Sequence, residues 1–193
     1  INDGDSLGGI LLKPVRFGET TSVTYTVRNM GLIPLSSFNL DIQPGGSART
    51  AITVRLPEGF HMNSDKPRDA NLIPITVSME AVPAVSGATA AFPEAIDLKQ
   101  EGSAEPLRVF EREFAIGLQV SAAADASAGA HTLPLRVRYQ ACDEKQCYLP
   151  ITAPLELKVS VSANAASVTP PAAIAKLDFA KAAAVPIVAP RPQ

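Results

Sequence analysis

The sequence is poor in the residues that build metal sites, nucleic-acid surfaces and disulfide-braced scaffolds. It has only two cysteines and two histidines in 193 residues, too few for a disulfide framework or for the clustered ligands of structural zinc. Its formal net charge is −2, and it has no basic stripe that would bind nucleic acid. No apolar run approaches the roughly 18 residues that span a bilayer. The sequence therefore predicts a globular domain without a metal, a cofactor, a nucleic-acid partner or a membrane span.

Short rows of alternating apolar and polar residues are abundant. Turn residues such as Pro44-Gly45-Gly46 and Pro57-Glu58-Gly59 separate several of them. A strand with one apolar face is typical of an antiparallel sheet with a core side and a solvent side. Seven or more such strands predict an all-β fold, an immunoglobulin-like antiparallel β-sandwich over residues 1–162. The rows are Val23–Val27, Phe38–Ile42, Ile52–Leu56, Ile73–Met79, Phe114–Val120, Leu133–Tyr139 and Leu155–Val161.

Two stretches interrupt this rhythm. Residues 82–106 lack clean alternation and are rich in proline and glycine, which is consistent with a functional loop or with a surface meander that has a short strand near Ala91. Residues 163–193 are rich in alanine and proline, so we expect a linker or tail, with one short helix over 174–184. The chain begins at Ile1 without a leader, and we expect any export signal to lie upstream.

Cys142 and Cys147 lie between two strong strand patterns, Leu133–Tyr139 and Leu155–Val161. We expect them to bracket the tip of a β-hairpin, where opposed residues are close enough to form a disulfide. Alternation continued from Tyr139 places Cys142 on the solvent side. The neighbouring charges Asp143 and Glu144 disfavour a thiolate, and Lys145 favours one.

Two interpretations of the cysteine pair remain open at this point. A structural staple is one, but closing so short a ring stabilises a fold by only about 2 kcal/mol in the loop-entropy description. Redox use is the other, because strained or exposed disulfides are the easily reduced ones. Metal binding and Cys-His hydrolysis are disfavoured, since His61 and His131 are distant in sequence and no nucleophile elbow is evident.

Two segments resemble a known family. They are Tyr139-Gln140-Ala141-Cys142 with Cys147-Tyr148 and Pro150, and the run from Leu56 through Gly59-Phe60-His61-Met62-Asn63-Ser64 to Pro67. Together they resemble the N-terminal periplasmic domain of the thiol:disulfide interchange protein DsbD, over about residues 42–161. The spacing Cys-x4-Cys is one residue shorter than in the best-known members, and Gly102, Ser103 and Ala104 stand where aromatic cap residues are expected.

The resemblance implies a redox module whose catalytic residues are Cys142 and Cys147. It implies electron transfer from a thioredoxin-like domain to disulfide isomerases and to the cytochrome c maturation thioredoxin, in the periplasm. Surrounding residues implied by position are His61, Asn63 and Glu101, and we add Tyr139 and Tyr148 from the signature. A protonated His61 near a sulfur would lower the pKa of its thiol, and Glu101 would act in the opposite direction.

Two functions therefore follow from the sequence. The favoured one is a thiol:disulfide oxidoreductase module that exchanges with thioredoxin-fold partners. The alternative is a non-catalytic immunoglobulin-like interaction module in which the hairpin disulfide is structural, since a fold does not by itself fix a function.

Overall fold

The computed structural model describes residues 39–100, 105–165 and 170–189. These residues contain thirteen strands and two short 3₁₀ turns. The 3₁₀ turns are Ala172–Ile174 and Phe179–Lys181. The strands are β1 (Asn39–Ile42), β2 (Ser47–Arg55), β3 (His61–Asn63), β4 (Thr76–Glu80), β5 (Val85–Ala91), β6 (Ile96–Leu98), β7 (Leu107–Glu111), β8 (Glu113–Ala122), β9 (Gly129–Tyr139), β10 (Ala141–Cys142), β11 (Ile151–Val161), β12 (Ala183–Ala184) and β13 (Ile187–Val188).

These strands form three sheets. One has the order β1-β11-β9-β4-β13, a second β12-β5-β8-β2 and a third β10-β3-β7-β6. Among the described strands, all pairings are antiparallel except those of β1 with β11 and of β13 with β4. The longest ladder joins β9 and β11, from Tyr139 opposite Ile151 to Gly129 opposite Val161.

Alternation along the strands produces the core, as the sequence predicted. Every second residue of β11 from Ala153 to Val161 is buried, with exposed or half-buried residues between them. Leu133, Leu135 and Val137 of β9 and Ile116, Leu118 and Val120 of β8 belong to the same hydrophobic cluster. The predicted all-β, immunoglobulin-like sandwich is confirmed. The predicted row at 23–27 and Phe38 lie outside the described residues.

The stretch 82–106 contains more strand than its sequence suggested. Most of it, up to residue 100, is described, and it includes β5 and β6. The pattern of β5 is weak because its buried residues include Ala88, Ala90 and Ala91, which contribute little hydrophobic contrast to a strand pattern. Strand β5 nevertheless pairs with β8 from Val85 to Ala91.

The alanine- and proline-rich end also differs from the expected linker. Residues 170–189, called the C-terminal segment below, have two 3₁₀ turns in place of the expected short helix. Ile174 is 2% exposed and packs with Ala51 and Ala115. Further along, β12 pairs with β5, and β13 pairs with β4. Among the described residues, no helix is long and apolar enough to cross a membrane.

Candidate functional site

The two cysteines occupy a short hairpin that follows β9. That strand ends at Tyr139, and after Gln140 the chain enters β10, which pairs with β3 in a different sheet. Cys142 and Cys147 form an isolated antiparallel bridge and a disulfide, with their Cα atoms 3.9 Å apart. The structure therefore has the hairpin and the intramolecular disulfide that the sequence predicted.

The two sulfur-bearing residues differ in exposure. Cys142 is 0% exposed, whereas Cys147 is exposed. The prediction that Cys142 lies on the solvent side is therefore wrong. It extended the alternation of β9, but the chain changes sheets at Gln140, and Ala141 and Cys142 are both buried. Of the two residues, Cys147 is therefore the one that is exposed to solvent.

Asp143 fixes the turn between the cysteines. Its Oδ1 accepts hydrogen bonds from the backbone amides of Lys145 and Gln146, each at 2.8 Å, and its Oδ2 accepts one from the Tyr148 hydroxyl at 2.6 Å. The bond from Tyr148, followed by those from the two amides, lowers the pKa of Asp143. The same bond raises the pKa of Tyr148. The carboxylate is thus ionised at neutral pH. It stabilises the turn of the short ring that the Cys142–Cys147 disulfide closes.

A second polar network fastens the hairpin to the sandwich. The side-chain carbonyl of Gln140 accepts from Asn63 Nδ2 at 3.2 Å and from the Ile73 amide at 3.4 Å. Its amide nitrogen donates to the Tyr148 carbonyl at 3.0 Å. Asn63, which is 1% exposed, also donates to the Ile73 carbonyl at 3.1 Å. Gln140 and Asn63 therefore hold both arms of the hairpin against β3.

Sequence reasoning missed the structural roles of Asp143 and Gln140. It treated Asp143 only as a charge near the thiols and gave Gln140 no role. An Asp that directly precedes a tight loop is a known signal for a side-chain-capped turn, so the role of Asp143 was accessible from the sequence. The role of Gln140 depends on a contact with Asn63, which lies 77 positions away.

His61 lies directly opposite Cys142 across the β3–β10 ladder, and opposite Glu111 across the β3–β7 ladder. It is 4% exposed, and its Nε2 atom has no hydrogen-bond partner in the part of the protein that the structure describes. Burial lowers the pKa of His61, against the opposing influence of Glu111 and Asp143. The imidazole beside the buried cysteine is therefore neutral at pH 7, and differs in this from the protonated group considered from the sequence.

The remaining predicted residues have different surroundings. Tyr148 stacks on Phe60, with ring centroids 5.9 Å apart. Tyr139 is 1% exposed and belongs to the hydrophobic core, where burial raises the pKa of its hydroxyl. Glu101 lies outside the described residues, as do Gly102, Ser103 and Ala104. In the described parts of the chain, no three His, Cys, Asp or Glu side chains cluster closely enough to hold a metal ion.

A groove of about 710 Å³ runs beside the hairpin. Its lining includes Phe60 just before β3, His61 at the start of β3, Glu111 at the end of β7, Arg112 directly after it, and Glu144 from the turn between the cysteines. Leu149, two residues beyond Cys147, is 82% exposed. The exposed Cys147 thus belongs to the hairpin whose turn contributes Glu144 to this groove, and it lies two residues before one prominent apolar side chain.

A comparison with protein-family models identifies the family of this chain. The family model for the N-terminal region of the thiol:disulfide interchange protein DsbD matches residues 30–158. A comparison with curated protein sequences finds no significant match. Among solved structures, the DsbD N-terminal domain of Neisseria meningitidis in its reduced form is 17% identical, with a TM-score of 0.38, over 57% of this chain and 76% of that one.

A second similar structure is the N-terminal periplasmic domain of ScsB from Proteus mirabilis. It is 15% identical with a TM-score of 0.47, and the match covers 71% of this chain and 51% of the solved one. The matched range, residues 30–158, includes Cys142, Cys147, strand β3 and Gln140. The chain belongs to the family of the N-terminal domain of the thiol:disulfide interchange protein DsbD.

Proposed function

We propose that this domain carries out thiol–disulfide exchange in the periplasm, passing electrons between thioredoxin-like partners through Cys142 and Cys147. The observation that carries the proposal is the asymmetry of the disulfide, which links an exposed Cys147 to a fully buried Cys142. A partner can reach one sulfur while the other stays protected. Family membership supports the reaction class.

The exchange begins at the exposed sulfur. A thiolate of the partner attacks Sγ of Cys147 in line with the existing disulfide. A mixed disulfide forms with Cys147, and the Cys142–Cys147 bond breaks with its electron pair on the sulfur of Cys142. The partner's second thiolate then attacks the sulfur of the partner's first cysteine in the mixed disulfide and releases Cys147 as a thiolate. The partner dithiol is thereby oxidised to a disulfide, and this domain is reduced by two electrons.

The reverse sequence passes the electrons on. A thiolate at Cys147 attacks the disulfide of a second thioredoxin-fold partner, and Cys142 resolves the mixed disulfide by attacking Cys147. We propose a DsbD-type thioredoxin-like domain as the donor. The proposed acceptors are a disulfide isomerase and the cytochrome c maturation thioredoxin, as the family resemblance implies. This function makes the domain a thiol:disulfide oxidoreductase.

Single-cysteine variants test which sulfur meets the partner. The probe is a thioredoxin that retains only its attacking cysteine, activated as a mixed disulfide with thionitrobenzoate. Reduced Cys142→Ser, which keeps the exposed thiol, should release thionitrobenzoate much faster than Cys147→Ser and should form a covalent complex. Cys147→Ser is the matched control, since its remaining thiol is buried. Circular dichroism verifies that both variants are folded.

Two results would contradict the proposal. If neither variant forms a complex, and if the wild-type disulfide resists both thioredoxin and millimolar dithiothreitol, the disulfide is a structural staple of an interaction module. If Cys147→Ser reacts faster than Cys142→Ser, exchange takes place but through the other sulfur.

A further inference from the structure

We infer that His61 is a hydrogen-bond donor to the sulfur of Cys142 when the disulfide opens. Its imidazole Nε2–H would stabilise the thiolate that leaves the bond. This inference rests on the proposed function, because it concerns the step in which Cys142 receives the electron pair. It gives a role to a buried polar atom that, in the disulfide form, makes no hydrogen bond to any described residue.

The β-sheet register places the two groups together. Directly opposed residues on antiparallel strands point to the same face, with Cβ atoms about 4.5–5.5 Å apart. His61 is opposed to Cys142 on one side and to Glu111 on the other. The three residues therefore form a row on one face of the sheet, with His61 between Cys142 and Glu111.

Burial makes such a donor necessary. Cys142 is 0% exposed, so water offers its thiolate little solvation, and desolvation strongly disfavours a charged sulfur. A hydrogen bond to the charged form offsets this penalty. His61 Nε2 is buried and has no hydrogen-bond partner among the described residues of the disulfide form, a state that costs free energy. Opening the disulfide supplies an acceptor to this atom.

The surrounding charges fit a neutral donor. Burial lowers the pKa of His61, and the opposing influences are Glu111 from β7 and Asp143 from the hairpin. The groove that His61 lines also contains Glu58, Lys99, Arg112 and Glu144. At neutral pH, the neutral imidazole with its proton on Nε2 can donate to the thiolate.

Reduction of the purified domain by dithiothreitol tests this inference without any protein partner. His61→Phe removes the donor, and the disulfide should open about tenfold more slowly at neutral pH, as expected for loss of a hydrogen bond to a charged group. His61→Gln keeps an N–H donor on a side chain of similar reach and should recover much of the rate. His131→Phe changes the other histidine, which contacts the Ser127 carbonyl instead, and should leave the rate unchanged.

A direct measurement on the wild-type protein keeps the inference testable if His61→Phe does not fold. In ¹H–¹⁵N spectra of the histidine rings, reduction should shift the Nε2 resonance of His61 and leave that of His131 in place. A His61 resonance that does not move would overturn the inference, as would a His61→Phe rate within about twofold of the wild type. A wild-type disulfide that dithiothreitol opens in a His61-dependent way, but that thioredoxin does not open, would contradict the proposed partners and leave the inference standing.

Discussion

Asp143 accepts three hydrogen bonds inside the hairpin, two from backbone amides and one from the Tyr148 hydroxyl. All of these bonds favour the ionised carboxylate and lower its pKa. Because the folded-state pKa lies below the usual Asp value, the carboxylate contributes stability above that usual value. The contribution is lost as the pH falls through the lowered folded-state pKa. The hairpin is thus coupled to pH through one side chain.

Asp143→Ala should lower the thermal midpoint of the oxidised domain at pH 7 and speed its reduction by dithiothreitol. The difference from wild type should begin to shrink below about pH 4, where the carboxylate of the unfolded chain becomes protonated, and it should vanish as the pH falls through the lowered folded-state pKa. Thermal melts followed by circular dichroism across this pH range measure the effect. Glu144→Ala removes a neighbouring exposed carboxylate and should show no comparable pH-dependent difference. Equal behaviour of the two variants would count against the turn-capping role.

At the residue scale, the sequence indicated the cysteine pair, His61 and Asn63 but not the exposure of the two sulfurs. Periodicity continues through a strand only as long as the strand stays in one sheet. Gln140 marks the point where the chain leaves the β9 ladder for β3, and local sequence contains no signal for such a transfer. The burial of Cys142 depends on its pairing with β3, which lies about 80 residues earlier in the chain. In that pairing Cys142 is opposite His61.

The C-terminal segment shows the same limit at the scale of elements. Its composition is typical of a linker, yet Ile174, Leu177 and Phe179 pack against small residues of β2 and β8. The guanidinium of Arg49 lies 4.1 Å from the centre of the Phe179 ring, a favourable cation–π distance. Sparse apolar residues give no periodic pattern, and the small residues that receive them are distant in sequence. The long, regular strands β8, β9 and β11 were predictable because each carries its full alternation locally.

Gly117 of β8 provides a test of this packing. A Cβ atom at this position would lie 2.6 Å from Phe179 Cζ and 2.9 Å from Leu177 Cδ1, closer than van der Waals contact allows. Gly117→Val should therefore lift the C-terminal segment and destabilise the domain by about 1–3 kcal/mol, the usual cost of overpacking. Urea unfolding measures the destabilisation, and trypsin cleavage after Lys176 and Lys181 reports the loosened segment.

The control for this test is Gly87 of β5. A Cβ atom at this position would have no atom of the described residues within 4 Å, apart from those of its chain neighbours. Gly87→Val should leave both the stability and the trypsin pattern close to wild type. If Gly117→Val behaves in the same way, the C-terminal segment does not lie on β8 in solution.

At the scale of the whole molecule, the family match and the described domain cover different parts of the chain. The match ends at residue 158, so the C-terminal segment lies beyond it, while β12 pairs with β5 and β13 pairs with β4, each at the edge of its sheet. The cysteine hairpin, by contrast, lies wholly within the match. We therefore expect the exchange chemistry to follow the family, and the β5 and β4 edges of these two sheets to be protected by a segment that the match does not include.

Leu149 connects the hairpin with the partner at this largest scale. It is 82% exposed and lies two residues beyond the exposed Cys147, so we expect a protein that forms a mixed disulfide with Cys147 to cover it. Burying an apolar side chain of this size contributes about 1.5–3 kcal/mol, and roughly 1.4 kcal/mol corresponds to a tenfold change in affinity. Leu149→Asp should accordingly slow reduction by thioredoxin about tenfold at limiting partner concentration. Reduction by dithiothreitol, which is too small to need this contact, should stay within about twofold of wild type.

Ile187→Asp, at a 54% exposed position on β13, serves as the matched control and should alter neither rate. Equal slowing with thioredoxin and with dithiothreitol would mean that Leu149 acts on the disulfide itself, and no slowing with either would remove it from the partner surface.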